Sequence, residues 1–392
     1  MAANALRRRD SRLSRRLSRD RAARRRFFAL VLAAASALVV GVVVGAGRGE
    51  EEDGETPAAQ QTRQKAARAA AHVLTLREQV GQLLISSFDE DTVPDYIRRR
   101  LRARETAGVI LFGRNATTEP EWRELTRALQ VQADGKALIM VDQEGGAVRT
   151  VGSAGPEAGQ PFQGSPADVR ASAEDAGKTL RSIGVNVNLA PVADLAGPGG
   201  AMASRAFSGD AAAVAASTRA SIAGMRAADV AATAKHFPGL GGAAANTDDA
   251  AVTISAERST LDDQDLVPFR AAVEQRVPLI MLSHALYPAL DGERIASQSR
   301  AVVTGLLRRE LGYDGVVVTD SLEAQAILDR SGVAAAAERS VEAGVDLILM
   351  TGSASWNEVF PRLLGRARES PEFRRRVRES AARVLDLKRL LR

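Results

Sequence analysis

Polar residues able to do chemistry stand at the ends of short apolar runs along this chain. Asp142 and Glu144 follow ALIMV, Asn188 and Asp194 lie in and after VNVNLAPVA, and Lys235 and His236 close AATAKH. Ser283 and His284 follow LIML, and Asp320 follows GVVVT. A lysine, two histidines and several carboxylates around one opening suit a neutral, hydroxyl-rich substrate held by many hydrogen bonds, because an ammonium donates to hydroxyls and a carboxylate accepts from them. One such residue alone is more often a loop hydrogen-bonder, but five run ends of this kind are harder to assign to loops. Cysteine is absent, which excludes disulfides, cysteine-ligated metals and a thiol nucleophile. Three histidines (His72, His236, His284) with no HExxH spacing make a metal centre unexpected. No GxGxxG or GxxxxGK[ST] follows a run, so no nucleotide cofactor is expected either.

For these residues to meet, the runs must be strands of one sheet. They are Gln82–Phe88, Gly108–Phe112, Ala137–Asp142, Val185–Pro191, Ala231–His236, Leu279–Ser283, Gly315–Thr319 and Val345–Met350, each followed by a longer Ala/Arg/Glu-rich helical pattern. Near-continuous apolar strands imply burial on both faces, hence a parallel sheet covered by helices. Eight β–α units over residues 73–392 predict an α/β fold, a (β/α)₈ TIM-like barrel whose strand ends share one mouth.

Residues 1–26 hold eleven arginines and two aspartates; with that +9 on the arm and +5 on the whole chain, the remainder carries −4. The next 21 residues, 27–47 (FFALVLAAASALVVGVVVGAG), contain no charge and are long enough to span a bilayer. An Arg-rich flank before them and an acidic flank after them predict a cytoplasmic arm (1–26), a single transmembrane anchor (27–47) and an extracytoplasmic body. A cleaved signal is the alternative, although its apolar core would be shorter. The arm lacks the interleaved aromatics of a nucleic-acid binder, so its expected partner is anionic lipid. Residues 48–72 read as a linker or an amphipathic stalk.

Six segments occur in the order found in glycoside hydrolase family 3: VDQEGGAVRTV (141–151), VNVNLAPVADL (185–195), SRAFS (204–208), KHFPGLGG (235–242), MLSHALYP (281–288) and YDGVVVTDSLEAQAI (313–327). Residues 73–392 resemble the barrel of that family, most of all its single-domain β-N-acetylhexosaminidase branch. The resemblance implies that Asp320 is the nucleophile of a retaining glycosidase, with Asp142, Arg149, Arg205, Lys235 and His236 as sugar contacts. The implied substrate is a terminal β-linked N-acetylhexosamine on a cell-wall or surface glycan, cleaved by a monomer without cofactor. A β-glucoside is the rival substrate.

The sequence departs from that branch at the general acid. The branch carries an Asp–His pair on the loop after KHFPGHG, whereas this loop reads KHFPGLGGAAANTDDA, placing Leu240 at the GHG histidine and Asn246, Thr247 and Asp248 at the acid motif. A carboxyl shielded by the loop could replace the histidine if its pKa is raised. Asp248 is the first candidate, with Asp249, Glu144 and Glu323 as others. A sugar-binding protein without turnover is the competing reading.

Overall fold

Residues alternate in facing along a strand, so a run that is apolar at every position must be dry on both sides. The computed structural model describes residues 56–391 apart from Pro198, and there each expected run contains a strand. In chain order these are β1 (Leu84–Ser86), β2 (Gly108–Ile110), β3 (Leu138–Val141), β4 (Gln143–Gly145), β5 (Val148–Arg149), β6 (Val187–Asn188), β7 (Ala231–Phe237), β8 (Leu279–Leu282), β9 (Val316–Thr319) and β10 (Ile348–Leu349). β4 and β5 form a small antiparallel hairpin. The other eight are parallel in the order β10-β1-β2-β3-β6-β7-β8-β9, and a bridge between Val318 and Leu347 closes the ring. Strands are shorter than the runs. In the fourth run Pro191 has no N–H to donate to a neighbour, and β6 keeps only Val187–Asn188.

The alternation sorts the core into two layers. Ile110, Leu138, Met140, Val187, Leu279, Met281, Val316 and Val318 fill the barrel interior. Val109, Ile139, Val141, Ile280, Leu282, Val317 and Ile348 face outward into the larger cluster with the helices.

The last helix, Pro371–Leu390, packs Val384 and Leu387 against the interior cluster. Its arginines would form a solvated face on periodicity alone. Two of them instead turn inward, Arg376 and Arg383, and both bind the fully buried Asp346 at the start of β10. Pro57–Val73, within the stretch read as linker or stalk, is a helix packed on that last helix, with Ala67 and Ala71 buried. The unit that holds the barrel runs from Pro57. Among the described residues no helix is long and apolar enough to cross a membrane. The arm (1–26), the anchor (27–47) and residues 48–55 lie outside the described residues.

Candidate active site

Following the interior-facing series to the C-terminal end of each strand gives the site. Leu138 and Met140 are followed in phase by Asp142, Ala231 and Thr233 by Lys235, and Val316 and Val318 by Asp320. The residues that fill the barrel thus give way, at its C-terminal rim, to charged ones. Lys235 is buried and its Nζ lies 2.6 Å from Asp142 Oδ1 and 2.7 Å from Glu144 Oε1. Arg205 grips Glu144 with two bonds, Nε to Oε2 at 2.9 Å and a terminal nitrogen to Oε1 at 2.6 Å. Burial alone would raise the Glu144 pKa, but Lys235 and Arg205 hold it down to about 2. Burial likewise opposes the Lys235 charge, and the Asp142 and Glu144 carboxylates outweigh it and raise its pKa. Glu144 is therefore a fixed anion that orients Lys235 and Arg205, which rules it out as a proton donor.

Asp320 begins the turn after β9. Its Oδ1 accepts from the Ser321 N–H at 2.8 Å, and its Oδ2 lies 3.7 Å from His236 Nε2. Burial would raise its pKa; the His236 and His284 imidazoles, the Lys235 ammonium and the Ser321 amide reverse the sign and lower it. The carboxylate keeps 17% of its side-chain surface open. His236 is oriented by Asp194, a fully buried carboxylate that accepts from His236 Nδ1 at 2.7 Å and from the backbone N–H groups of His236 and Leu240 at 3.1 and 2.7 Å. That leaves Nε2 as the imidazole atom facing Asp320. His284, also buried, joins Ser297 Oγ at 2.8 Å to the Ser321 carbonyl at 2.9 Å. A shielded, ionised carboxylate beside oriented cations can attack an electrophilic carbon and be replaced by water.

This barrel recurs among known proteins. The profile described as "Glycosyl hydrolase family 3 N terminal domain" matches residues 75–387. The chain belongs to glycoside hydrolase family 3. It is a glycosidase of the β-N-acetylhexosaminidase-like kind. Among curated relatives, the beta-hexosaminidase of Xanthomonas oryzae pv. oryzae is 35% identical over 254 residues, covering 62% of this chain and 76% of that protein. Among solved structures, a family 3 β-N-acetylglucosaminidase from Paenibacillus sp. superposes with a TM-score of 0.78 at 35% identity. That match covers 81% of this chain and 63% of the Paenibacillus chain. The β-N-acetylhexosaminidase of Beutenbergia cavernae gives 0.72 at 33% identity, covering 80% of this chain and 98% of its own.

The loop that departs from the family pattern is held in place by the turn after Asp320. The N–H groups of Gln325 and Ala326 donate to the carbonyls of Asp248 and Thr247, both at 3.1 Å. Leu240, in place of the GHG histidine, is fully buried in the core. Asp248 stays in contact with solvent and accepts from Asn246 Nδ2 at 2.9 Å. Packing around its carboxyl and the charge of Asp320 raise its pKa. Glu323, a further candidate for the acid, is fully committed: Oε2 accepts from the Thr351 N–H and from the Thr351 and Ser321 hydroxyls, and Oε1 from Ser355. Arg149 sits half-buried in the β4–β5 hairpin, opposite Gln143, which lies between Asp142 and Glu144. Gly145 and Gly146 have positive φ, and a Cβ on Gly145 would stand 2.5 Å from the Ala158 carbonyl. The pair thus admits the chain of residues 156–159 close against the hairpin.

Sequence reasoning assigned Asp142, Arg149, Arg205, Lys235, His236, Asp320 and Asp248 to one opening. It gave no role to Asp194 and cast Glu144 as a possible acid. A lone carboxylate at the end of an apolar run carries no mark of its partner 42 residues away.

Proposed function

We propose that the chain is a retaining β-N-acetylhexosaminidase in which Asp320 is the nucleophile and Asp248 the acid/base. One observation carries this reading: two carboxyls at the same opening have pKa values displaced in opposite directions, Asp320 downward and Asp248 upward. Such a pair supplies one ionised and one protonated carboxyl at the same pH. Asp320 attacks the anomeric carbon while Asp248 gives its proton to the departing glycosidic oxygen. Asp248, now a carboxylate, takes a proton from water, which attacks the same carbon and releases Asp320 with net retention. Lys235, Asp142 and Arg205 hold the ring hydroxyls, and the Asp194-oriented His236 lies beside the nucleophile. The rate should fall in acid as Asp320 gains a proton and fall in base as Asp248 loses its own. The names of the hexosaminidase relatives support the N-acetylhexosamine preference. The uncharged run 27–47 and its Arg-rich flank support tethering to a membrane, barrel outward, beside a cell-wall or surface glycan.

Aryl β-N-acetylglucosaminides with good and poor leaving groups test the assignment. Asp248→Ala should lower kcat about 10²- to 10⁴-fold on the poor leaving group and less than about tenfold on the good one. Equal losses on both would remove Asp248 from the acid role. No turnover of either substrate by the unaltered chain, with the sugar still bound, would replace the enzyme by a sugar receptor.

A further inference from the structure

The loop after β8 and the helix Val333–Ala343 frame a cleft of about 260 Å³. Its lining is Glu293, Arg294, Ile295, Gln298, Arg330 and Arg339, three guanidinium groups against one carboxylate. Arg339 is fixed from the helix side, donating through Nε to Gln298 Oε1 at 2.6 Å and through a terminal nitrogen to Ser331 Oγ. Two carboxylates near it are shared with other arginines, Glu338 with Arg362 and Arg366, and Glu342 with Arg366. Burial and the nearby charge of Arg294 lower the Arg339 pKa, against the opposing pull of Glu338 and Glu342. Arg294 and Arg330 are exposed, and among the described residues their side chains make no hydrogen bond or ion pair. Gln298 is only 7% exposed, yet its Nε2 has no acceptor. A buried N–H without a partner is costly, and a bound oxygen would satisfy it.

We infer that this cleft binds an oxyanion, a carboxylate or a phosphate, with Arg294, Arg330 and Arg339 supplying the charge and Gln298 a neutral donor. Planar guanidinium forks match both kinds of group. Hydrogen bonds also tie the cleft's wall to the turn that carries Asp320. Gln298 follows Ser297, whose hydroxyl meets His284 Nδ1, and His284 Nε2 meets the carbonyl of Ser321, the residue after Asp320. An acidic group on the glycan substrate is one source of the anion, which rests on the glycosidase reading; free phosphate is the other.

Inorganic phosphate is the first probe, titrated calorimetrically into the full chain in non-ionic detergent at low salt. Millimolar binding is expected, weakened at least tenfold in the Arg294→Ala/Arg330→Ala double variant. These two residues are exposed and outside the sugar site, so folding and turnover of neutral substrates should be unchanged. Phosphate heat no larger than that of chloride at equal ionic strength, or the same in the double variant, would overturn the inference. A matched pair of β-N-acetylglucosaminides, one with a carboxylate on its aglycone, then identifies the source. A roughly tenfold higher kcat/KM for the acidic member that the double variant abolishes assigns the anion to the substrate. Equal kcat/KM with phosphate still bound assigns it to the free ion. Should neither glycoside turn over, the glycosidase reading fails and the phosphate titration still decides the cleft.

Discussion

The two ends of the barrel each bury a carboxylate among cations, and they use it differently. At the N-terminal end, Asp346 is fully buried and every acceptor direction is filled. Its Oδ2 takes Arg308 and the Val317 N–H, and its Oδ1 takes Arg376, Arg383 and the Ser380 hydroxyl. At the mouth, Glu144 is closed in the same way by Lys235 and Arg205, but its neighbours are left unfinished. Asp142 keeps 27% of its side chain open and Asp320 keeps 17%. A saturated carboxylate cross-links elements and has no lone pair to offer. An unsaturated one beside fixed cations stays ionised and can still accept a hydroxyl or attack a carbon. The distinction between scaffold and site therefore lies in how many acceptor directions are filled rather than in burial or charge.

Substitutions at the two ends should separate along that line. The largest effect is expected from Asp320→Asn, which should lower kcat on the order of 10⁴-fold or more and leave the urea midpoint within error of the parent. Substantial activity in that variant would move the nucleophile elsewhere. Asp346→Asn should do the opposite, costing about 3–5 kcal/mol in equilibrium urea unfolding while kcat per folded molecule holds, because it leaves three arginines around a neutral group. A loss of kcat without loss of stability would mean that the two ends are not independent.

A smaller effect concerns pH. Burial would raise the Asp346 pKa, but Arg308, Arg383 and Arg376 depress it to about 2. A depressed folded-state pKa contributes stability that is complete above the unfolded value, about 3.9, and is lost as pH falls through the folded one. Asp346 should account for about 2 kcal/mol of the stability lost between about pH 4 and pH 2. Glu144 titrates over a similar range, so the informative measurement is the difference between parent and Asp346→Asn, which should shrink toward the lower pH. A constant difference would show that the carboxylate has no such linkage. The smallest change is expected from Arg383→Gln. This residue is the most exposed of the three arginines, at 34%, and its loss should cost about 1 kcal/mol or less. A cost matching that of Asp346→Asn would mean that the three arginines act as one unit.

Much of the fold was legible because its signal is local. Val316–Val317–Val318 is apolar at every position since alternate residues serve the interior and the helix layer, and that pattern needs no knowledge of the partner strands. The helix Pro57–Val73 was less legible. Among its Ala, Gln and Arg residues only Ala67 and Ala71 are buried, and alanines resemble a stalk as much as a docked helix. Within the site, Asp142, Lys235 and Asp320 could be picked out as polar residues ending apolar runs. Their division of labour could not. Glu144 and Glu323 were plausible acids until the structure paired Glu144 with Lys235 and Arg205 and tied Glu323 to Ser321, Thr351 and Ser355.

The sequence by itself determined the eight-unit barrel and the residue types at its rim, because strand periodicity and the order of runs dictate both. Only the tertiary structure decided which carboxylates are closed and which remain open. That outcome depends on pairs far apart in the chain, Glu144 with Lys235 and Arg205, Asp194 with His236, and Asp346 with Arg376. A charge read in sequence carries no record of the opposite charge that folding brings beside it.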